Sequence, residues 1–104
     1  MVKFMGIFRL KPEYASEDSF NYWRDRHTKW AKEHLKPELK KYVIGRVIHT
    51  FGDAGIHGVS QMEFEDLDSA RRAMERMIAS PRDEFLSRIE EVKRIVIQEE
   101  DVEL

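Results

Sequence analysis

Apolar residues along the first third of the chain follow the spacing of a strand and then that of a helix. The run Val2–Leu10 is rich in aromatic and branched side chains and stops at Lys11 and Pro12, which indicates a strand. From Ser16, a favourable N-cap residue, apolar positions recur at helical intervals until Pro37, which ends the helix. The predicted buried stripe of this helix comprises Phe20, Trp23, His27, Trp30, Ala31, His34 and Leu35.

The remainder of the chain predicts three more strands and a second helix. Residues 39–51 are apolar on both faces, which is typical of a strand buried on both sides, and the loop GDAG separates them from an alternating strand at 57–65. A helix is predicted from about 68 to 79, and Ser80 and Pro81 are expected to start a further helical segment. Residues 95–104 are predicted as the last strand. The buried face of the segment after Pro81 is predicted to comprise Phe85, Ile89 and Val92.

This order of elements, β-α-β-β-α-β, predicts a single α+β domain over residues 1–104 with a ferredoxin-like fold. In such a fold four antiparallel strands form one sheet, and both helices lie on one of its faces. The other face is left without a cover, and an uncovered apolar sheet face is an association surface. We therefore expect a homodimer in which two sheets pack face to face across a twofold axis.

Composition narrows the range of partners and of chemistry. The chain carries 18 basic and 20 acidic residues, which disfavours nucleic-acid binding, because that usually requires a basic surplus. It contains no cysteine, which excludes disulfides, thiolate catalysis and zinc–thiolate or iron–sulfur sites. No apolar run reaches the ~20 residues that span a bilayer, and the first residues lack the features of a signal peptide. We therefore expect no membrane partner and a cytoplasmic location.

Three stretches carry a longer pattern: KPEYASEDSFNYWRDRHTKWA, LKKYV and HGVSQMEFEDLDSARRAM. Together with the first strand and the Ser-Pro step after the second helix, they resemble the EthD family of dimeric α/β-barrel proteins. That family has a strand ending in Lys or Arg and Pro, a helix with Tyr-Trp, three residues and His, then Leu-x-x-Tyr and a Gly-hydrophobic-Ala-Glu strand. The resemblance covers nearly the whole chain. It departs at Ser60 and Gln61, where the family usually has Ala and Glu, and at His57, where Asp is common.

The resemblance implies the dimeric ferredoxin-like fold but no single activity. The family takes its name from a protein associated with ether breakdown by a cytochrome monooxygenase system, and similar proteins include methylmuconolactone methylisomerase and fungal polyketide dehydratases. Olivetolic acid cyclase, quinol monooxygenases and haem-degrading enzymes belong to the same superfamily. The first strand lacks the asparagine that the haem-degrading enzymes use. Because one fold serves many reactions, function has to be argued from individual residues.

His27 and Tyr42 are the candidate catalytic residues. His27 lies at the centre of the apolar stripe, so it either finds a hydrogen-bond partner in the core or lines a cavity. The resemblance favours the cavity, because the methylisomerase has a functional histidine at the matching position. Tyr42 matches the tyrosine of Leu-x-x-Tyr, which the same relative places in its pocket, and its phenol would donate to a carbonyl or enolate oxygen. The alternative for Tyr42 is a half-buried aromatic residue with its hydroxyl at the surface.

A ligand pocket is expected between the first helix and the sheet. A glycine in the middle of a strand marks the close approach of a ligand or of another backbone, and Gly6 occupies such a position. His49 and His57 lie on either side of the GDAG loop, but no third ligand has the spacing of a metal site, so we expect neither a metal nor another cofactor. The predicted substrate-binding residues are Gly6, Phe8, Trp23, Ser60 and Met62.

These residues favour a cofactor-free enzyme that acts on a small hydrophobic, oxygenated compound such as an aromatic catabolite, a lactone or a polyketide-like enone. His27 would move a proton in an isomerisation, cyclisation or dehydration while Tyr42 stabilises an oxyanion. Two other classes remain open. One is a non-catalytic protein that binds a hydrophobic compound for a partner monooxygenase system, and the other is a cofactor-independent oxidoreductase.

Overall fold

Four antiparallel strands form one sheet in the order β2-β3-β1-β4, which confirms the predicted ferredoxin-like α+β fold. The computed structural model describes all residues, 1–104. Its strands are β1 (Val2–Leu10), β2 (Lys41–Arg46), β3 (Gly58–Phe64) and β4 (Ile89–Gln98). Its helices are α1 (Glu17–Tyr22), α2 (Thr28–Leu35) and α3 (Leu67–Ala79). No helix combines the length and the apolar character that crossing a membrane requires.

The predicted first helix forms, but its middle turn is wider than an α-helix. A π-helical segment, Trp23–His27, joins α1 to α2 without a break, because the flanking residues keep helical backbone angles. Both end residues of this segment are buried against the sheet, as the apolar stripe predicts. Such π-helical turns are rare and are frequently found at functional sites.

The helix-facing side of the sheet carries two clusters of buried apolar side chains. Phe4 of β1 belongs to one cluster and Phe8 to the other, and between them lies Gly6, which pairs with Ser60 of β3. The first cluster comprises Phe4, Ala31, Leu35, Met62, Phe64, Ala70, Ala73 and Met74. The second comprises Phe8, Leu10, Trp23 and Phe85. Two small residues of the central strands, Gly6 and Ser60, therefore lie where the two clusters separate.

The opposite side of the sheet is covered by no helix. Because side chains alternate along a strand, Met5 and Ile7 of β1 point away from the helices, together with their cross-strand neighbours Val59 and Ile95. Val43 of the edge strand β2 lies on the same side. Val43 is 41% exposed and Ile95 is 45% exposed, so this open face presents apolar surface to solvent.

Strand β2 is shorter and less buried than predicted. The prediction extended it over residues 39–51 and buried it on both sides, whereas β2 spans Lys41–Arg46 at the edge of the sheet. Its only neighbour in the sheet, β3, begins at Gly58, which pairs with Arg46. One more backbone hydrogen bond follows, from the N–H of Val47 to the carbonyl of His57, and the regular ladder ends there. The apolar character of both faces therefore reflects the cavity on one side and the open face on the other.

The region from Ser80 to Val92 contradicts the prediction of a helical segment. Only a short 3-10 helix, Glu84–Arg88, forms there, and β4 begins at Ile89 and ends at Gln98 rather than spanning 95–104. A bulge shifts the register between Arg9, which pairs with Glu91, and Leu10, which pairs with Ile89. The extra residue places Ile89 and Val92 on the same face of the sheet although they are three positions apart. Apolar residues at that interval are also typical of a helix, which explains the wrong prediction. Strand β4 ends where β1 begins, because Gln98 pairs with Val2.

Candidate active site

A cavity of about 290 Å³ lies between the first helix, the end of α3 and the sheet. It opens where the two apolar clusters separate, above Gly6 and Ser60. A methyl group at Gly6 would lie 2.7 Å from Ser60 Oγ, so a larger residue here would force the Ser60 hydroxyl to move. The cavity brings together every residue that the sequence assigned to the site: His27, Tyr42, Gly6, Phe8, Trp23, Ser60 and Met62.

His27 is both hydrogen-bonded and on the cavity wall, which combines the two alternatives left open by the sequence. Its Nδ1 atom lies 2.8 Å from Oδ2 of Asp83, a carboxylate that precedes the 3-10 helix. The same oxygen accepts the backbone N–H of Phe85 at 3.1 Å, and Oδ1 accepts the hydroxyl of Tyr22 at 3.4 Å. Because a carboxylate only accepts hydrogen bonds, Nδ1 carries the proton and Nε2 of the neutral ring keeps a free lone pair.

The environment of His27 keeps the imidazole neutral. Burial lowers its pKa below the ordinary 6.5, although the hydrogen bond and the negative charge of Asp83 act in the opposite direction. The neutral ring therefore contributes stability that is fully present above pH 6.5 and is lost as the pH falls through the folded-state pKa. Nε2 makes no hydrogen bond within the protein and is not among the fully buried atoms, so it is open to a ligand.

Tyr42 contributes a second polar group to the same cavity. Its hydroxyl is buried and has no hydrogen-bond partner, which is uncommon for a polar atom inside a protein. Burial raises the pKa of Tyr42, so the phenol stays protonated and remains a donor. The expectation of a surface-exposed hydroxyl does not hold. The ring of Tyr42 lines the cavity, but its hydroxyl oxygen is itself enclosed, so the side chain has to move before this donor reaches an oxygen atom of a ligand.

Asp83 is the site residue that sequence reasoning missed. The Ser-Pro step predicts Ser80 as the cap of a helical segment. In the structure, Asp83 caps the short 3-10 helix instead, because its side chain accepts the N–H of Phe85. Its side chain is only 13% exposed. The one available signal was local: an aspartate two positions before a buried aromatic residue is a common cap. Its contact with His27 spans 56 residues of sequence, and no periodicity predicts that.

The other histidines lie outside the cavity. His57 Nδ1 accepts the backbone N–H of Leu10 at 2.9 Å, which ties the long β2–β3 loop to β1. His49 is exposed and packs edge-to-face with Phe51. His34 Nδ1 lies 2.7 Å from the carbonyl oxygen of Trp30, one turn earlier in α2. No group of three His, Cys, Asp or Glu side chains in the chain is arranged to hold a metal ion.

Several solved structures have the same fold as this chain at low sequence identity. No protein-family model and no curated protein sequence matches it. An EthD family protein from Bacillus halodurans superposes with a TM-score of 0.72 and 19% identity, over 96% of this chain and 99% of that one. A dimeric ferredoxin-like protein from Thermobifida fusca gives 0.68 and 14%, over 92% and 88%.

An enzyme is also among these structures. The hydroxynitrile lyase from Passiflora edulis superposes with a TM-score of 0.69 and 13% identity, over 99% of this chain and 96% of the lyase. At such low identities the similarity concerns the fold. The chain therefore has the ferredoxin-like fold of EthD and related dimeric proteins.

Replacement of Tyr42 by phenylalanine should leave the ligand-free protein as stable as the wild type or more stable. The change removes a buried hydroxyl that has no partner, and such a group costs ~1–3 kcal/mol of folding free energy. Tyr22→Phe is the matched control, because its hydroxyl donates to Asp83 and its loss should cost ~0.5–1.5 kcal/mol. Thermal melts of both variants provide the comparison. Equal losses of melting temperature would show that the Tyr42 hydroxyl has a partner in the folded protein.

Proposed function

We propose that this protein is a cofactor-free enzyme that transfers protons within a small hydrophobic, oxygenated compound. The observation that supports this most directly is the His27–Asp83 hydrogen bond at the cavity wall. Holding an apolar ligand requires only apolar walls, whereas a histidine oriented by a carboxylate, with its other nitrogen free, is the arrangement of a general base. That a hydroxynitrile lyase has the same fold supports a catalytic rather than a purely accessory role.

The proposed reaction begins with Nε2 of His27 removing a proton from a carbon beside a carbonyl group. The electron pair of the broken C–H bond moves to the carbonyl oxygen. A shift of the Tyr42 side chain turns its enclosed hydroxyl toward the ligand, and the hydroxyl donates a hydrogen bond to the resulting enolate. The imidazolium that forms is stabilised by Asp83. His27 then returns the proton to another carbon, which completes an isomerisation, or to a hydroxyl that leaves as water, which completes a dehydration.

The shape and lining of the cavity support a small substrate. A volume of about 290 Å³ lies at the lower end of the range for ligand sites, so the substrate has the size of a substituted aromatic ring or a lactone. Most of the lining residues are apolar, with aromatic rings from Phe4, Phe8, Trp23 and Trp30. The apolar lining also strengthens the hydrogen bond from Tyr42 to a developing oxyanion.

Deuterium exchange tests the reaction class before any natural substrate is known. We expect the protein, in D₂O, to exchange the α-protons of some small aryl ketones, lactones or enones for deuterium. Proton NMR measures this exchange as the loss of the α-proton signal. His27→Gln should slow this exchange by ~10²–10⁴-fold, the usual contribution of a general base. The rate should fall as the pH is lowered through the pKa of His27, which lies below 6.5, because the protonated ring accepts no proton.

His34→Gln is the matched control, since His34 lies on the same helix but outside the cavity. Its exchange rate should equal that of the wild type. Compounds that bind without any exchange would instead support the accessory-protein hypothesis. Exchange that persists in His27→Gln would contradict the role of His27.

We also propose that the active form is a homodimer joined through the open face. Every strand contributes an apolar side chain to this face, and those of Val43 and Ile95 are exposed. An uncovered apolar sheet surface is unfavourable in water. A dimeric protein from Thermobifida fusca with the same fold is consistent with this assembly. An interface centred on Met5 and Ile95 follows the twofold arrangement that most homodimers adopt.

A charge on the open face should dissociate the dimer. Ile95→Glu places two like charges near the twofold axis of the proposed interface, where burying them is costly. Leu67→Glu is the matched control, because Leu67 is 47% exposed, close to the 45% of Ile95, but lies on α3. Light scattering should give a dimer for the wild type and for Leu67→Glu, and a monomer for Ile95→Glu. A monomeric wild type at micromolar concentration would refute the proposed assembly.

A further inference from the structure

Two arginines reach the wall of the same cavity from different parts of the fold. Arg94 lies on β4 directly opposite Gly6 of β1, and the pleat directs it to the helix-facing side. Arg82 comes from the extended segment that follows α3 and precedes Asp83. Both side chains are exposed, and neither makes a hydrogen bond or an ion pair within the protein.

The lack of partners sets these two arginines apart from the others. Of the ten arginines in the sequence, seven form an ion pair with a carboxylate: Arg9, Arg24, Arg46, Arg71, Arg72, Arg76 and Arg88. Arg26 lies over the ring of Tyr22 at 5.9 Å. Arg82 and Arg94 are the remaining two, and both line the cavity. Because the chain has 20 acidic residues, most of its arginines pair with a carboxylate, and Arg82 and Arg94 differ from them in having no such partner.

The charged residues that line the cavity are both basic. Arg82 and Arg94 are its charged lining residues, and no Asp or Glu lines it. Asp83 follows Arg82 directly in the sequence, but its carboxylate accepts hydrogen bonds from His27 and from the N–H of Phe85 rather than from an arginine. The cavity therefore combines an apolar body, the polar pair His27 and Tyr42, and two guanidinium groups that have no carboxylate partner.

We propose that the substrate carries a carboxylate, which Arg82 and Arg94 bind while its carbon skeleton fills the apolar part of the cavity. Guanidinium groups match the planar geometry of a carboxylate and bind it through paired, charge-assisted hydrogen bonds. This inference rests on the proposed function and narrows its substrate class to small hydrophobic acids. It also orients the substrate, because anchoring the carboxylate fixes which carbon faces His27.

Intrinsic fluorescence provides a direct test with a matched pair of ligands. Trp23 and Trp30 are the only tryptophans of the chain and both line the cavity, so a ligand that enters it changes their emission. The probes are hydrocinnamate and its neutral amide, hydrocinnamamide, which share one carbon skeleton. We expect the acid to bind about tenfold more tightly than the amide, as for a charge-assisted hydrogen bond at a partly exposed site. In the double variant Arg82→Gln, Arg94→Gln the two affinities should become equal, with that of the amide unchanged.

Arg26→Gln is the matched control, because it removes the same charge from an arginine that lacks an acidic partner but lies outside the cavity. It should keep the preference for the acid. Equal binding of acid and amide by the wild type would overturn the carboxylate assignment and leave the proton-transfer proposal standing. A preference that survives in the double variant would overturn the role of Arg82 and Arg94. Failure of both probes to bind would count against the cavity as a ligand site, and against both proposals together.

Discussion

The hydrogen bond between His27 and Asp83 is the interaction on which the site depends. It joins the π-helical turn of the first helix to the segment between α3 and β4, and so closes one side of the cavity. The same carboxylate caps the 3-10 helix that carries Phe85 into the core. One aspartate thus positions a structural segment and selects the tautomer of a histidine. A ring held in this way loses little entropy when it accepts a proton, which is the advantage of a preorganised base.

The cavity exists because two small residues face each other at the centre of the sheet. Gly6 and Ser60 are cross-strand partners, and large side chains fill the space on either side of them. Phe8 and Trp23 meet edge to face at 4.8 Å on one side, which gives that wall a rigid aromatic surface. A departure from the EthD pattern, Ser60 in place of alanine, adds a hydroxyl to this floor without filling it. His27, Tyr42 and Ser60 therefore line a mostly apolar cavity that the surrounding side chains do not fill.

The fold could be predicted from the sequence because it depends on local periodicity, and so could the position of several residues that line the cavity. The apolar stripe through Trp23 and His27 placed both side chains against the sheet, and the central position of Gly6 indicated open space there. Asp83, Arg82 and Arg94 could not be predicted in the same way. They lie in or after a segment whose apparent helical spacing comes from a bulge opposite Leu10, and their relation to the cavity arises from contacts between distant parts of the chain. The spacing of apolar residues indicates which face of a helix or strand a side chain lies on. It does not indicate which residue from a distant part of the sequence that side chain contacts.

The protonation state of the two ring nitrogens of His27 tests the central claim most directly. Nitrogen-15 NMR of the histidine side chains, with His27 assigned by comparison with His27→Gln, distinguishes the tautomers. At neutral pH the account predicts a neutral ring with the proton on Nδ1, donated to Asp83, and an unprotonated Nε2. In Asp83→Ala this preference should weaken or reverse, because no acceptor remains for the proton on Nδ1. A wild-type ring with its proton on Nε2, or one charged at neutral pH, would contradict the assignment of His27 as a base.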